Sequence, residues 1–353
     1  MRHRLRYIIP MLVALSLFFA PSISFSQPSP PPQPEIGPGG YDYPHASVKK
    51  NGPYWAKGHF LNNNYKYYIF VPAEPIPEIA PVVLFIHGWL AYKPKAYLGW
   101  MEHMVKKGYI VVWVQYDAFL SPFRNFADHA METWKDALNR LDTNFHVRPE
   151  KDLMGQIKTA IIGHSIGGSL SAILAARAAD TRNGMPEPYA IVAVEPGGLR
   201  WLPNEDLGKI DPETKMVIVV GDEDKVVAKL TAVAIWKNTL QIPDKNRDFL
   251  LVQSDYHGSP EQIANHYFPN TNGYRDTAAV DARDFYVTFK LSVGALECAF
   301  RDTDCEYALG NGSFEQVDMG QWSDGQPMNA MVWVEDPNEL EATCEDPGFR
   351  TAP

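Results

Sequence analysis

The chain has 353 residues, 45% of them hydrophobic and 21% charged, with a formal net charge of −10. This is globular composition, long enough for one large domain or two ordinary ones, and nothing repeats at a fixed period, which sets aside solenoids and propellers. The acidic balance argues against nucleic acid or an anionic membrane as the main partner.

Arg2, Arg4 and Arg6 precede an apolar run from Ile8 to Ala20 that is broken only by Pro10 and Ser16. Ser24 and Ser26 then put small residues at the −3 and −1 positions of a cleavage site before Gln27. The pattern over 1–26 is that of a secretory signal peptide, too short in its apolar part for an easy membrane span. An uncleaved anchor is the alternative. The expected location is secreted or periplasmic, with no integral membrane segment once the signal is removed. Residues 27–40 carry six prolines and three glycines and read as an extended linker, because proline fixes φ and removes a backbone donor. The ordered domain, 41–305, is expected to start near Tyr41.

Tyr65 to Val71 is rich in β-forming aromatics, with Pro72 as its expected end. Short, nearly continuous apolar runs follow at Pro81–Ile86, Tyr109–Val114, Thr159–Ile162, Ala190–Val194, Lys215–Val220 and Asp248–Val252. Runs that are apolar on both faces suit strands inside a parallel sheet. Between them, Phe126, Ala130, Trp134, Leu138, Leu141 and Phe145 recur at helical spacing, and Gly168 to Ala179 makes a nearly uncharged, buried helix. A last helix is expected over Asp284 to Phe300. Alternating strands and helices imply an α/β fold with a mostly parallel sheet flanked on both faces.

Residues 306–353 carry ten acidic residues against one basic, Arg350, and form an appended acidic extension in which Trp322 to Gly325 suggests a small hairpin. Three cysteines occur, at 298, 305 and 344. In an oxidising compartment Cys298 and Cys305 can close a short loop and leave Cys344 single, and pairings through Cys344 stay open. No Cys-x-x-Cys or His-Glu-x-x-His spacing occurs, so a metal site is not expected.

The strongest chemical signal is Gly163-His164-Ser165-Ile166-Gly167-Gly168. A nucleophile on a sharp strand-to-helix turn needs residues without side chains two before and two after it, or strand and helix collide. The apolar strand before Ser165 and the small-residue helix after it supply that context. The helix start also turns its free amides toward developing negative charge.

With Phe85-Ile86-His87-Gly88-Trp89 at the end of an earlier buried strand, the arrangement over roughly 60–300 resembles the α/β-hydrolase superfamily. It looks most like the chlorophyllase, cutinase and dienelactone-hydrolase-like esterases. The resemblance implies a serine hydrolase that cleaves carboxylic esters through a Ser-His-Asp triad without a cofactor. It implies an oxyanion hole made by the amides of Trp89 and Ile166, with His87 shaping the loop. Gly221-Asp222-Glu223-Asp224-Lys225-Val226-Val227 follows a later strand and matches the family's acid position at Asp224. Asp222, Glu223 and, after the preceding strand, Glu195 are rivals. The base is expected at His257, just after the last strand and in the order Ser…Asp…His, with Gly258 letting its loop turn tightly. His266 lies further along a polar loop.

The short connection from Glu195 to Thr214 leaves no room for a large lid, which suits a bulky or polymeric ester. His164 stands where related polyester hydrolases carry Trp. Trp89, Phe119 and Trp201 are candidates for an acyl pocket, core packing being the other reading of each. The protein is expected to act as a monomer on an ester substrate. A peptidase on the same fold and a non-catalytic hydrolase-fold binding protein are the competing readings.

Overall fold

The computed structural model describes residues 27–118, 120–272 and 278–341. The signal-peptide stretch, Phe119 and Cys344 lie outside the described residues.

Nine strands make one sheet: β1 (Ser47–Trp55), β2 (Lys66–Ala73), β3 (Val82–Ile86), β4 (Ile110–Val114), β5 (Thr159–His164), β6 (Ala190–Val194), β7 (Lys215–Gly221), β8 (Arg247–Val252) and β9 (Val332–Trp333). They lie in the order β1-β2-β4-β3-β5-β6-β7-β8-β9. Every pair from β4 to β8 is parallel. β1 and β2 run antiparallel at one edge, and β9 at the other. This is the α/β-hydrolase fold. The apolar runs become the central strands because each is covered twice: all five residues of β3, β4 and β6 are buried. At about 2 kcal/mol for each large apolar side chain removed from water, these runs hold the layers together.

Five helices provide the cover: α1 (Leu98–Lys106), α2 (Phe126–Asn144), α3 (Ile166–Ala178), α4 (Leu230–Lys237) and α5 (Lys290–Arg301). α2, α3 and α4 bury Trp134, Leu141, Ile173 and Val233 against one face of the sheet. α1 and α5 bury Trp100, Met104, Leu291 and Leu296 against the other. The expected last helix divides into a π-helical turn, Asp284–Phe289, and α5. β2 continues through Pro72, because its pairing with β4 ends at Phe70 and only β1 accompanies it beyond. No described helix is long and apolar enough to cross a membrane.

Both ends of the described chain, residues 27–40 and 306–341, lie on this body. Residues 27–40, expected as a linker, form a strap whose carbonyls accept what proline cannot donate. Pro28 accepts from the Ser259 amide, Pro32 from the Tyr286 hydroxyl and Pro38 from the His103 ring. Cys298 and Cys305 are joined by a disulfide. The acidic extension then runs along the sheet edge and supplies β9. Asp248 of β8 anchors it by accepting from the Asn311 amide, the Gln316 side chain and the Trp333 indole. The turn at Trp322 closes with Gly325 N–H donating to the Trp322 carbonyl and Trp322 N–H to Gln326, and Trp322 itself is buried.

Candidate active site

Ser165 sits between β5 and α3 with φ 57° and ψ −125°, a backbone conformation that side-chain-bearing residues seldom occupy. Two glycines make the turn feasible. A Cβ on Gly163 would strike the Gly167 carbonyl, and one on Gly167 would strike the Ile86 carbonyl at the end of β3. The spacing read from the sequence is therefore a packing requirement among three successive parts of the sheet's upper edge. The Ser165 amide donates to the Val194 carbonyl of β6, which fixes the turn from its other side.

His266 reaches the serine. Its Nε2 lies 3.0 Å from Ser165 Oγ, and its Nδ1 lies 2.8 Å from Asp224 Oδ2. A carboxylate only accepts, so the ring proton is assigned to Nδ1, leaving the Nε2 lone pair to accept from the serine hydroxyl. Asp224 is held in turn by the amides of Val226 and Val227, at 2.8 and 3.0 Å on Oδ1. Ser165, Asp224 and His266 are all buried.

His257, expected as the base, is placed elsewhere, against the C-terminal turn. It is partly exposed, and its Nε2 pairs with Asp324 of the C-terminal turn at 2.8 Å. The reason lies in the path of the chain after β8. Asp222 takes the Ser254 amide and hydroxyl, and Ser254 Oγ takes the Ala264 amide, so residues 254 and 264 are pinned side by side. The stretch between them, bridged Asp255 to Gln262, is an excursion that carries Tyr256 and His257 outward. Gly258 serves packing and not reach, since a Cβ there would meet the Pro28 carbonyl and the Trp322 ring. One signal separated the two histidines. His266 is flanked by Ala264 and Phe268, both buried, whereas His257 stands among Gly, Ser and Pro.

Of the rival acids, Asp222 is occupied with Ser254, and Glu223 pairs with Lys225. Glu195 is different. It follows β6 with φ 45°, is fully buried, and has no hydrogen-bond partner for either carboxyl oxygen among the described residues. Two histidine nitrogens lie beside it, His266 Nδ1 at 3.4 Å and His164 Nε2 at 3.6 Å. The single Nδ1 proton is already engaged by the shorter contact to Asp224. Burial, and then the negative charge of Asp224, push the Glu195 carboxyl up to about 8, so it holds a proton at neutral pH. Burial alone would lower the His266 pKa, but the Asp224 hydrogen bond, helped by Glu195 only when that group is ionised, moves it upward.

The loop after β3 lies directly on the serine. A Cβ on Gly88 would come 3.3 Å from Ser165 Cβ. In this loop the Gly88 amide donates to the Tyr97 hydroxyl, Leu90 to Asp117 Oδ2 and Ala91 to the Gly88 carbonyl. The Trp89 amide has no acceptor among the described residues. The Ile166 amide, at the first position of α3, is one of the donors a helix cannot satisfy internally. His87 is buried between the rings of Trp113 and Tyr116, at 4.8 and 4.6 Å, and shapes the loop. His164 ties these parts together. Its Nε2 donates to the His266 carbonyl at 2.9 Å, and its Nδ1 accepts from the Tyr97 hydroxyl at 2.8 Å. Burial, followed by the nearby charge of His266, holds the His164 pKa well down, so the ring is neutral. One imidazole thus connects the loop after β3, through Tyr97, to the backbone of His266.

Beside the serine, Trp89 packs on Phe123 and Phe123 on Trp201, at 5.0 and 5.3 Å between centroids. A cavity of about 520 Å³ opens between the loops after β6 and β7, lined by Gly198, Leu199, Trp201, Val226, Val227 and Leu230. Phe123, absent from the sequence reading, joins the two expected tryptophans, and Phe119 lies outside the described residues. His164, Glu195 and His266 also bring three possible metal-ligand atoms within 4.8 Å of one another. The hydrogen bonds of His164 to a carbonyl and of His266 to Asp224 already engage the two nitrogens concerned.

No curated protein matches the chain. The Chlorophyllase family model, which describes α/β-hydrolase-like esterases, matches residues 64–199, from the start of β2 to the loop after β6, and so takes in the Trp89 loop, Ser165 and Glu195.

Proposed function

We propose that the protein is an exported serine esterase in which Ser165 is the nucleophile, His266 the general base and Asp224 the orienting acid. The observation that carries this reading is the continuous chain from Ser165 Oγ through His266 to Asp224, in buried surroundings and at hydrogen-bond distances. His266 Nε2 takes the serine proton as Oγ attacks the ester carbonyl, and Asp224 stabilises the resulting imidazolium. The amides of Trp89 and Ile166 receive the oxyanion, each such donor being worth about 3 kcal/mol in the transition state. His266 then passes its proton to the departing alcohol, and water repeats the cycle to release the acid. Trp89, Phe123, Trp201 and the adjoining cavity would hold the acyl or alcohol portion.

A fluorophosphonate probe tests this directly. The wild type should label and hydrolyse p-nitrophenyl esters, and Ser165→Ala should do neither. Absence of labelling in the wild type would remove the enzyme reading, while turnover of peptides without esters would turn it into a peptidase. The export proposal is checked separately by N-terminal sequencing of the secreted protein, which should begin at Gln27.

A further inference from the structure

Three leucines hold backbone conformations that leucine avoids and glycine adopts freely: Leu61 at φ 63°, Leu90 at φ 70° and Leu120 at φ 68°. All three are exposed, by 67%, 39% and 85%. Each occupies a different loop on the edge of the sheet that carries Ser165: ahead of β2, after β3 and after β4. These loops are tied to one another. Asn64 Oδ1 accepts from the Ala118 amide, Asp117 Oδ2 accepts from the Leu90 amide, and Trp89 packs on Phe123. Phe60, 77% exposed, and Trp89, 42% exposed, add aromatic surface to the same rim. Leu61, Leu120 and Phe60 keep most of their surface in water, and the ties between these loops hold them, with Leu90 and Trp89, on the edge of the sheet that carries Ser165. Strain concentrated in this way marks a functional surface.

The charges of the rim point to what it meets. Lys57, Lys93, Lys95 and Arg124 are exposed on these loops, and their one acid, Asp117, is buried. The acids of α2 beside these loops are each engaged: Asp128 by Arg177, Glu132 by His59, and Asp136 by the Lys57 amide and the Tyr67 hydroxyl. On a chain with a net charge of −10, these three loops together carry four exposed cations and no exposed acid. The overall charge argues against an anionic membrane, but the local charge is what an approaching surface encounters within a Debye length.

We propose that this rim docks the protein onto the anionic surface of a lipid aggregate, from which an ester substrate passes to Ser165. Docking itself needs no catalysis, and only the delivery step rests on the esterase reading. Apolar side chains enter the acyl boundary while the lysines and Arg124 meet the head groups.

The test is flotation of the intact protein with vesicles of phosphatidylcholine mixed with phosphatidylglycerol, and with vesicles of phosphatidylcholine alone. The wild type and Ser165→Ala should bind the mixed vesicles equally, and the neutral ones far less. Leu61→Gly/Leu120→Gly should bind the mixed vesicles about tenfold more weakly. Glycine relieves the strain at both positions, so this variant should melt at or above the wild-type temperature and turn over a soluble short-chain ester at the wild-type rate. Leu90 is left unchanged, because its amide holds the loop of Trp89. Equal binding by wild type and double variant, or no binding to mixed vesicles, would overturn the proposal. Loss of fluorophosphonate labelling with docking intact would count against the esterase reading alone.

Discussion

Asp224 and Glu195 follow neighbouring strands, both are buried, and both face the same imidazole. Asp224 collects three donors, two of them backbone amides. Glu195 collects none among the described residues, and its carboxyl is pushed up to about 8. Burial alone does not decide which acid serves the base. What separates them is the preorganised donors of the Asp224 turn, which a carboxylate needs in order to stay charged away from water. Once Asp224 is charged, its field adds to the penalty on Glu195, so the two acids settle into opposite roles.

The largest expected effect concerns the base on which both acids converge. His266→Ala should lower kcat/KM by about a thousandfold or more, whereas His257→Ala, whose ring faces Asp324, should change it by less than about threefold. The opposite ranking in a soluble-ester assay would restore the assignment made from the sequence. The acids come next. Asp224→Asn should cost about 10³-fold or more in kcat, because an amide in that place favours the wrong imidazole tautomer. Glu195→Gln should stay within about tenfold, since it replaces a protonated carboxyl by a neutral group of the same shape. Similar losses in both variants would show that the two acids share the role.

The smallest effect is on stability. Glu195 has a raised pKa in the folded state, so the stability it contributes is fully present below its unfolded value of 4.5 and is lost as pH rises toward about 8. Glu195→Gln removes that loss, on the order of a few kcal/mol across the window. Thermal melts of the two proteins should therefore diverge in favour of the variant between pH 5 and pH 8. Parallel curves would mean that Glu195 titrates normally and that its burial is offset by contacts of another kind.

The parts of the site that could be read in advance are those whose geometry is contiguous in the chain. β5, the two glycines and α3 are consecutive, so the steric demand at Ser165 appears in the sequence as spacing. The buried central strands were legible for a similar reason, since double coverage leaves an apolar run. His266 was not legible as the proposed base, because the ten-residue gap between Ser254 and Ala264 is closed by Asp222, in the turn after β7, and puts the nearer histidine on the outside. The proline-rich stretch read as a linker because composition reports missing donors and says nothing of carbonyls. The donors that fix it, from Ser259, Tyr286 and His103, are distant in sequence. β9 was hidden by the acidity around it and depends on Asp248 for its place.

The meeting of the two chain ends has a consequence for the order in which the molecule is completed. Ser29 and Ser323, 294 positions apart, exchange two hydrogen bonds, and beside them the Pro28 carbonyl and the Trp322 ring close over Gly258. In a growing chain the strands β1 to β8 and Ser165 precede the residues that shut this clasp. The excursion that leads to His266, pinned at its base by Asp222 and Ser254, gains its cover over Gly258 when the turn at Trp322 arrives. The cover over the loop that leads to His266 is thus completed by residues made after β8.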